Sequence, residues 1–174
     1  MFAGYYAYCK EVDPLWAVIA LVFVPIYAVG NLVVYLSQVF VVPGLLDLFH
    51  TPETAAVAEV ILGLTLHTWI GSITGFVNGL AYAALGMPSI IFGVLLYQKA
   101  HAHRPGGVLL AASGVLSIIA LLGTGLGSSM LMFMSPVSGF VFLVGISILG
   151  VRFLQSFHKE TISLSLDAAG TAGE

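Results

Sequence analysis

The sequence predicts an all-α protein, a polytopic transmembrane bundle of four spans with an extra interfacial helix between the first and second. Three observations carry that expectation. Of 174 residues, 59% are hydrophobic and 7% charged, against roughly a quarter charged in ordinary soluble domains. A water-soluble fold of this composition has no means of covering its surface. The apolar runs are long enough to cross a hydrocarbon layer about 30 Å thick. The connections between them are too short for a second domain, so residues 1–160 read as one membrane unit and 161–174 as a polar, loosely held tail.

Residues 14–42 form the first span, free of formal charge. Pro14 suits a first helical turn, where its missing N–H costs nothing, whereas Pro25 removes an internal hydrogen bond and bends the helix. Asn31 and Gln38 need polar partners in lipid and are expected to face other helices or the headgroups. Pro43 and Gly44 are read as the stop, and Leu45 to His50 as an interfacial stretch. Thr51-Pro52-Glu53 then offers an N-cap, a proline at the first helical position and an acid near the positive end of the dipole, which starts the interfacial helix, residues 52–66. The first thirteen residues lack the leader and cleavage pattern of a signal peptide and are expected to stay attached.

Residues 54–98 are too many for one simple span and barely enough for two. A second span beginning near Ala55 would place Glu59 in its first turns and His67 near its centre. A carboxylate well inside costs up to about 2.5–3.5 kcal/mol on insertion scales. The preferred assignment is therefore one span over residues 69–97, with Trp69 and Tyr97 at the two interfaces and Pro88 bending it; a five-span count is the alternative. Residues 107–122 and 137–157 complete the set. Four spans bring Lys10, Lys99, Arg104, Arg152 and Lys159 to one side, which the accumulation of Lys and Arg on short cytoplasmic loops makes the cytoplasmic side. Both termini are expected there, in a plasma (inner) membrane.

Eight acidic and five basic residues leave a net charge of −3 with no clustered Lys and Arg, which argues against nucleic-acid binding. One cysteine, Cys9, excludes an internal disulfide. No GxSxG elbow, HExxH, Walker-type loop, CxxC or intramembrane carboxylate pair is present, so the chain is expected to have no catalytic activity of its own.

The most distinctive pattern is Gly71, Gly75, Gly79 and Ala83, four small residues each four apart. Helices in lipid associate through close backbone approach, which such residues permit, so this stripe is a candidate packing face for a neighbouring helix of the same chain or of a partner subunit. It drifts about 40° per step, given 3.6 residues per turn. His67, inside or at the edge of an apolar segment, is a candidate cofactor residue; haem would need a second facing ligand, and no other span has a central histidine. His50 with Met130, Met132 and Met134 makes a candidate copper site, because thioethers and imidazole are ligands of Cu(I), although methionine among leucine and phenylalanine is also ordinary interfacial filling.

The leading expectation is a non-catalytic membrane subunit that packs in the lipid bilayer against other membrane protein subunits, in a respiratory or other energy-converting assembly. The alternatives are a copper- or haem-binding redox accessory protein, and a small oligomeric transporter or channel with Asn31, Gln38, Asn78 and His67 along a polar path.

Overall fold

The structure, a computed structural model, describes the backbone of residues 1–69 and 71–171 and the side chains of residues 1–69 and 71–156. Among the described residues the chain is helical throughout: α1 (Phe2–Cys9), α2 (Pro14–Leu36), a π-helical turn (Ser37–Val41), α3 (Val42–Phe49), α4 (Ala55–Thr65), α5 (Ile73–Lys99), a 3₁₀ turn (His101–His103), α6 (Arg104–Leu126), α7 (Ser129–Met132) and α8 (Met134–Thr171). Four stretches are long and apolar enough to cross a membrane: Pro14–Phe49, Ile73–Lys99, His101–Leu126 and Ser129–Ser156. The short apolar helix α4 lies between the first two.

The first span runs through Pro43 and Gly44 rather than stopping there. Asp13 caps α2 by accepting from the N–H groups of Leu15 and Trp16, both at 3.1 Å. Near the other end the hydrogen-bond register lengthens to π, with the Val42 N–H donating to the Ser37 carbonyl. Pro43 then sits in the first turn of α3, where a proline needs no donor. α4 begins at Ala55, beyond the expected Thr51-Pro52-Glu53 start, because those residues are used in the turn from α3: the Thr54 hydroxyl donates to the Leu48 carbonyl at 2.6 Å. Val42, Leu45 and Leu62 bury the α3–α4 contact. The α8 backbone stays helical to Thr171, through much of the stretch read as a loose tail. No proline or glycine interrupts residues 157–169.

α2 packs on α5, α5 on α6 and α6 on α8, and the tightest of these joints is α5 with α6. A Cβ on Gly93 would lie 2.5 Å from the Gly107 carbonyl oxygen, and one on Gly107 2.6 Å from that of Gly93. Two turns on, a Cβ on Gly86 would lie 2.7 Å from the Gly114 carbonyl. The two backbones therefore touch at paired glycines seven residues apart on each antiparallel helix, the repeat that keeps one seam facing its partner.

No extended contact joins α2 to α8 among the described residues, so the four spans form a curved layer with a gap between its two edge helices. α1 packs across part of that gap and leaves an apolar cavity of about 560 Å³ between itself and α8. Phe2 stacks on Phe92 of α5 at 5.9 Å, Tyr5 on Phe153 of α8 at 6.0 Å, and Tyr8 meets Phe153 edge-on at 5.0 Å. Lys99 fastens its end: the ammonium donates to the Tyr8 carbonyl, pairs with Glu11 at 2.9 Å and sits 3.9 Å from the centre of the Tyr8 ring. The His103 ring closes the same cluster, 2.9 Å from the Tyr8 hydroxyl through Nε2. This basic end of the molecule carries Lys99 and Arg104; the opposite end carries α4 and His67.

Three outcomes test this arrangement. Gly93→Leu or Gly107→Leu is expected to lower stability in detergent by about 3 kcal/mol, the upper range for overpacking, while Gly4→Ala, with open space around it, stays near wild type; equal thermal midpoints for all three would remove the glycine joint. Cys9 is fully buried and burial pushes its thiol up to about 11, with Lys99 opposing. Because the thiolate is the reactive form, alkylation at neutral pH should be at least ~100-fold slower in the folded protein than after denaturation, as read by intact mass. Lys99 holds the Glu11 carboxyl below its ordinary 4.5, so its contribution to holding α1 is present above that value and is lost as pH falls through the lower folded value. Hydrogen exchange in α1 should quicken in that acid window in the wild type, and Glu11→Gln should show the faster exchange at every pH.

Candidate functional site

Beside α1 the gap holds a cleft edged by hydroxyl groups. Its larger cavity, about 290 Å³, is bounded by Tyr27 on α2, Tyr82, Leu85 and Ser89 on α5, Ser113 and Ser117 on α6, and Ser138, Gly139, Phe142 and Leu143 on α8. Ser89, Ser113, Ser117 and Ser138 are all buried. Serine is suited to such positions because its hydroxyl bonds back to a carbonyl of its own helix. Ser89 does so to Leu85 at 2.9 Å and Ser113 to Leu110 at 2.7 Å.

Ser138 instead ties α8 to α6. Its hydroxyl donates to the Ser113 carbonyl at 2.8 Å and lies 2.6 Å from the Ser117 oxygen. A hydroxyl has one proton, so Ser117 is the donor in the second bond. The protons of these four serines are thus committed to protein acceptors, and what they retain for the cavity is lone pairs.

A smaller cavity of about 150 Å³ continues toward the opposite end and shares Tyr82 and Ser117 with the first. His67, Asn78, Thr124, Met132 and Ser135 complete most of its wall. Gln38 fixes His67 in place. Its amide nitrogen donates to the Thr65 carbonyl at 2.9 Å, which turns its oxygen toward His67 Nδ1 at 3.2 Å. Nδ1 therefore carries the proton, and Nε2 is the acceptor of the ring. The π turn at the end of α2 contains Gln38, in keeping with the tendency of such turns to fall at functional positions.

The profile of a family described as a domain of unknown function, DUF4386, matches residues 3–155. The chain belongs to the DUF4386 family. No curated protein and no solved structure matches it.

In this DUF4386 chain the sequence candidates fall in four places. Gly71 precedes α5, in a turn at φ +85° that favours glycine. Gly75 is in the first turn of α5, where Ser72 accepts from its N–H at 2.9 Å, and a Cβ there would lie 2.9 Å from the His67 carbonyl. Gly79 faces Leu121 and Thr124 of α6, and Ala83 is buried. The four thus face different surroundings, and the close backbone contacts of α5 are at Gly86 and Gly93, which the four-residue spacing passes over.

His50 bonds through Nδ1 to the Leu46 carbonyl at 2.6 Å on the last turn of α3. Met130 is exposed, Met134 begins α8, and Met132 borders the small cavity with His67. No group of three His, Cys, Asp or Glu side chains gathers among the described residues. Of the polar path drawn from sequence, His67 and Asn78 share the small cavity, Gln38 holds His67, and Asn31 is buried within α2.

The Ser138 bridge predicts a measurable asymmetry in this family member. Ser138→Ala should lower stability by about 1 kcal/mol, the scale of a hydrogen bond between membrane helices. Ser147→Ala, whose exposed hydroxyl bonds only within its own helix, should leave it unchanged. Equal losses in thermal unfolding would remove the bridge from the account of the cleft.

Proposed function

We propose that the protein is a non-catalytic integral membrane subunit whose own contribution is the cleft between α2 and α8, a binding site reached from the bilayer. One observation carries this reading: the layer of spans does not close, and beside α1 the gap holds a largely apolar cavity edged by buried serines that continues into a smaller, polar one at His67 and Asn78. Polar groups inside a membrane protein are costly and mark functional positions. The bonding of the serines supports the non-catalytic part of the reading. Ser89, Ser113 and Ser138 donate to backbone carbonyls and Ser117 to Ser138, so none directs its proton to a histidine or carboxylate that would raise its nucleophilicity.

Gly139 offers a clean test, because it borders the cavity and a Cβ there meets nothing within 4 Å. Protein extracted from its native membrane in mild detergent should carry a bound species seen as an added mass, and Gly139→Phe, which fills the cleft, should lack it at an unchanged thermal midpoint. Retention of the same species by the variant would overturn the binding reading.

Association with other membrane subunits is the second part of the proposal. It is supported by the edge helices α2 and α8, which each have a single neighbouring span and bury 22% and 17% of their most apolar windows, against 61% for α5. On this reading the native mass exceeds that of one chain with its ligand; a stable lone chain in gentle extraction would speak against it.

A further inference from the structure

We infer that the cleft takes an uncharged amphiphile with a hydroxyl-bearing head, the head in the cavity beside His67 and the apolar tail in the cavity between Tyr27 and Phe142. The inference rests on the cleft being a binding site, and it names the class of molecule bound. Charge decides the first property. Neither cavity has a Lys, Arg, Asp or Glu in its wall, and an ion brought there from the headgroup region would lose its hydration with no counter-charge to replace it.

The contrast between the two cavities decides the second. His67, Asn78, Thr124 and Ser135 make the smaller one polar, whereas Leu85, Phe142 and Leu143 face the larger one. Tyr82 and Ser117 belong to both, so a single molecule can lie across the join. Together the cavities reach the size of ordinary ligand sites, roughly 300–1,000 Å³. The tail then lies in the gap between α2 and α8, where Tyr27 on one side and Phe142 and Leu143 on the other bound the larger cavity.

Hydrogen-bond accounting decides the third. The Ser117 proton goes to Ser138, the Thr124 hydroxyl donates to the Ala120 carbonyl at 3.2 Å, and the Nδ1 proton of His67 goes to Gln38. Asn78, Ser135 and Tyr82 add N–H and O–H donors to the same wall, which therefore presents both lone pairs and protons. A hydroxyl head, which both donates and accepts, matches it; a head with acceptors alone leaves the lone pairs of Ser117, Thr124 and His67 Nε2 without a donor.

Three probes with the same oleoyl tail separate these properties: monooleoylglycerol, with hydroxyls and no charge; methyl oleate, with neither; and oleate at pH 8, charged. Each is titrated into the delipidated full-length protein in detergent and followed by native mass spectrometry, with Asn78→Leu and Gly139→Phe in parallel. Monooleoylglycerol should bind saturably and at least ~10-fold more tightly than the other two, weaken about 5-fold or more in Asn78→Leu and be lost in Gly139→Phe. Saturable binding that Gly139→Phe abolishes, but in which oleate or methyl oleate equals or exceeds monooleoylglycerol, would overturn the class while leaving the cleft a binding site. No saturable binding of any probe, or binding untouched by Gly139→Phe, would overturn both.

Discussion

Contact between a carbonyl and a glycine Cα at Gly86, Gly93, Gly107 and Gly114 brings α5 and α6 closer than side chains would allow, and the positions of the remaining helices follow from it. In lipid, apolar side chains gain little by leaving one hydrocarbon for another, so close packing has to supply what the hydrophobic effect supplies in water. With α5 and α6 as a central pair, α2 and α8 each attach to one side, and the curvature of the layer leaves them apart. The cleft is a consequence of that geometry. Its serines then add a second constraint, because Ser138 reaches both the Ser113 carbonyl and the Ser117 hydroxyl and fixes α8 in rotation against α6.

The spans were legible in the sequence because the bilayer imposes a single rule, that backbone groups be satisfied within the segment. Runs of apolar residues longer than the hydrocarbon thickness then have one solution. The resolution of residues 54–98 into a short helix and one span has the same origin, since Glu59 ends up exposed on α4 rather than in a span. Local rules did less well where tertiary contacts decide. Pro43 and Gly44 read as a helix stop, yet a change of register at Ser37–Val41 lets the helix pass through them. α1 was not visible at all, because eight residues with no marked apolar face become a helix only against Phe92 and Phe153.

The site was legible in fragments. His67, Asn78 and Gln38 stood out as polar groups in apolar runs, and the structure brings His67 and Asn78 to one cavity and Gln38 to His67. The serines did not stand out, since a lone serine in a membrane helix ordinarily bonds to its own backbone, and only the rotation of α5, α6 and α8 makes four of them converge. The glycine joint was hidden by spacing. A search at four-residue intervals finds Gly71, Gly75 and Gly79, whereas the contacts of α5 recur every seven residues, matched by a seven-residue interval on α6.

The short helix α1 is attached to the bundle chiefly through aromatic faces and through the Lys99 ammonium, and it joins α2 by a brief turn at residues 10–13. Phe2 and Phe92 meet about one helical turn beyond Ser89, on the side of the cleft toward the basic end. Because Phe2, Tyr5 and Cys9 are buried there with Phe92 and Leu96, those eight residues belong to the core itself, and removing them would leave apolar faces of α5 and α8 without a partner.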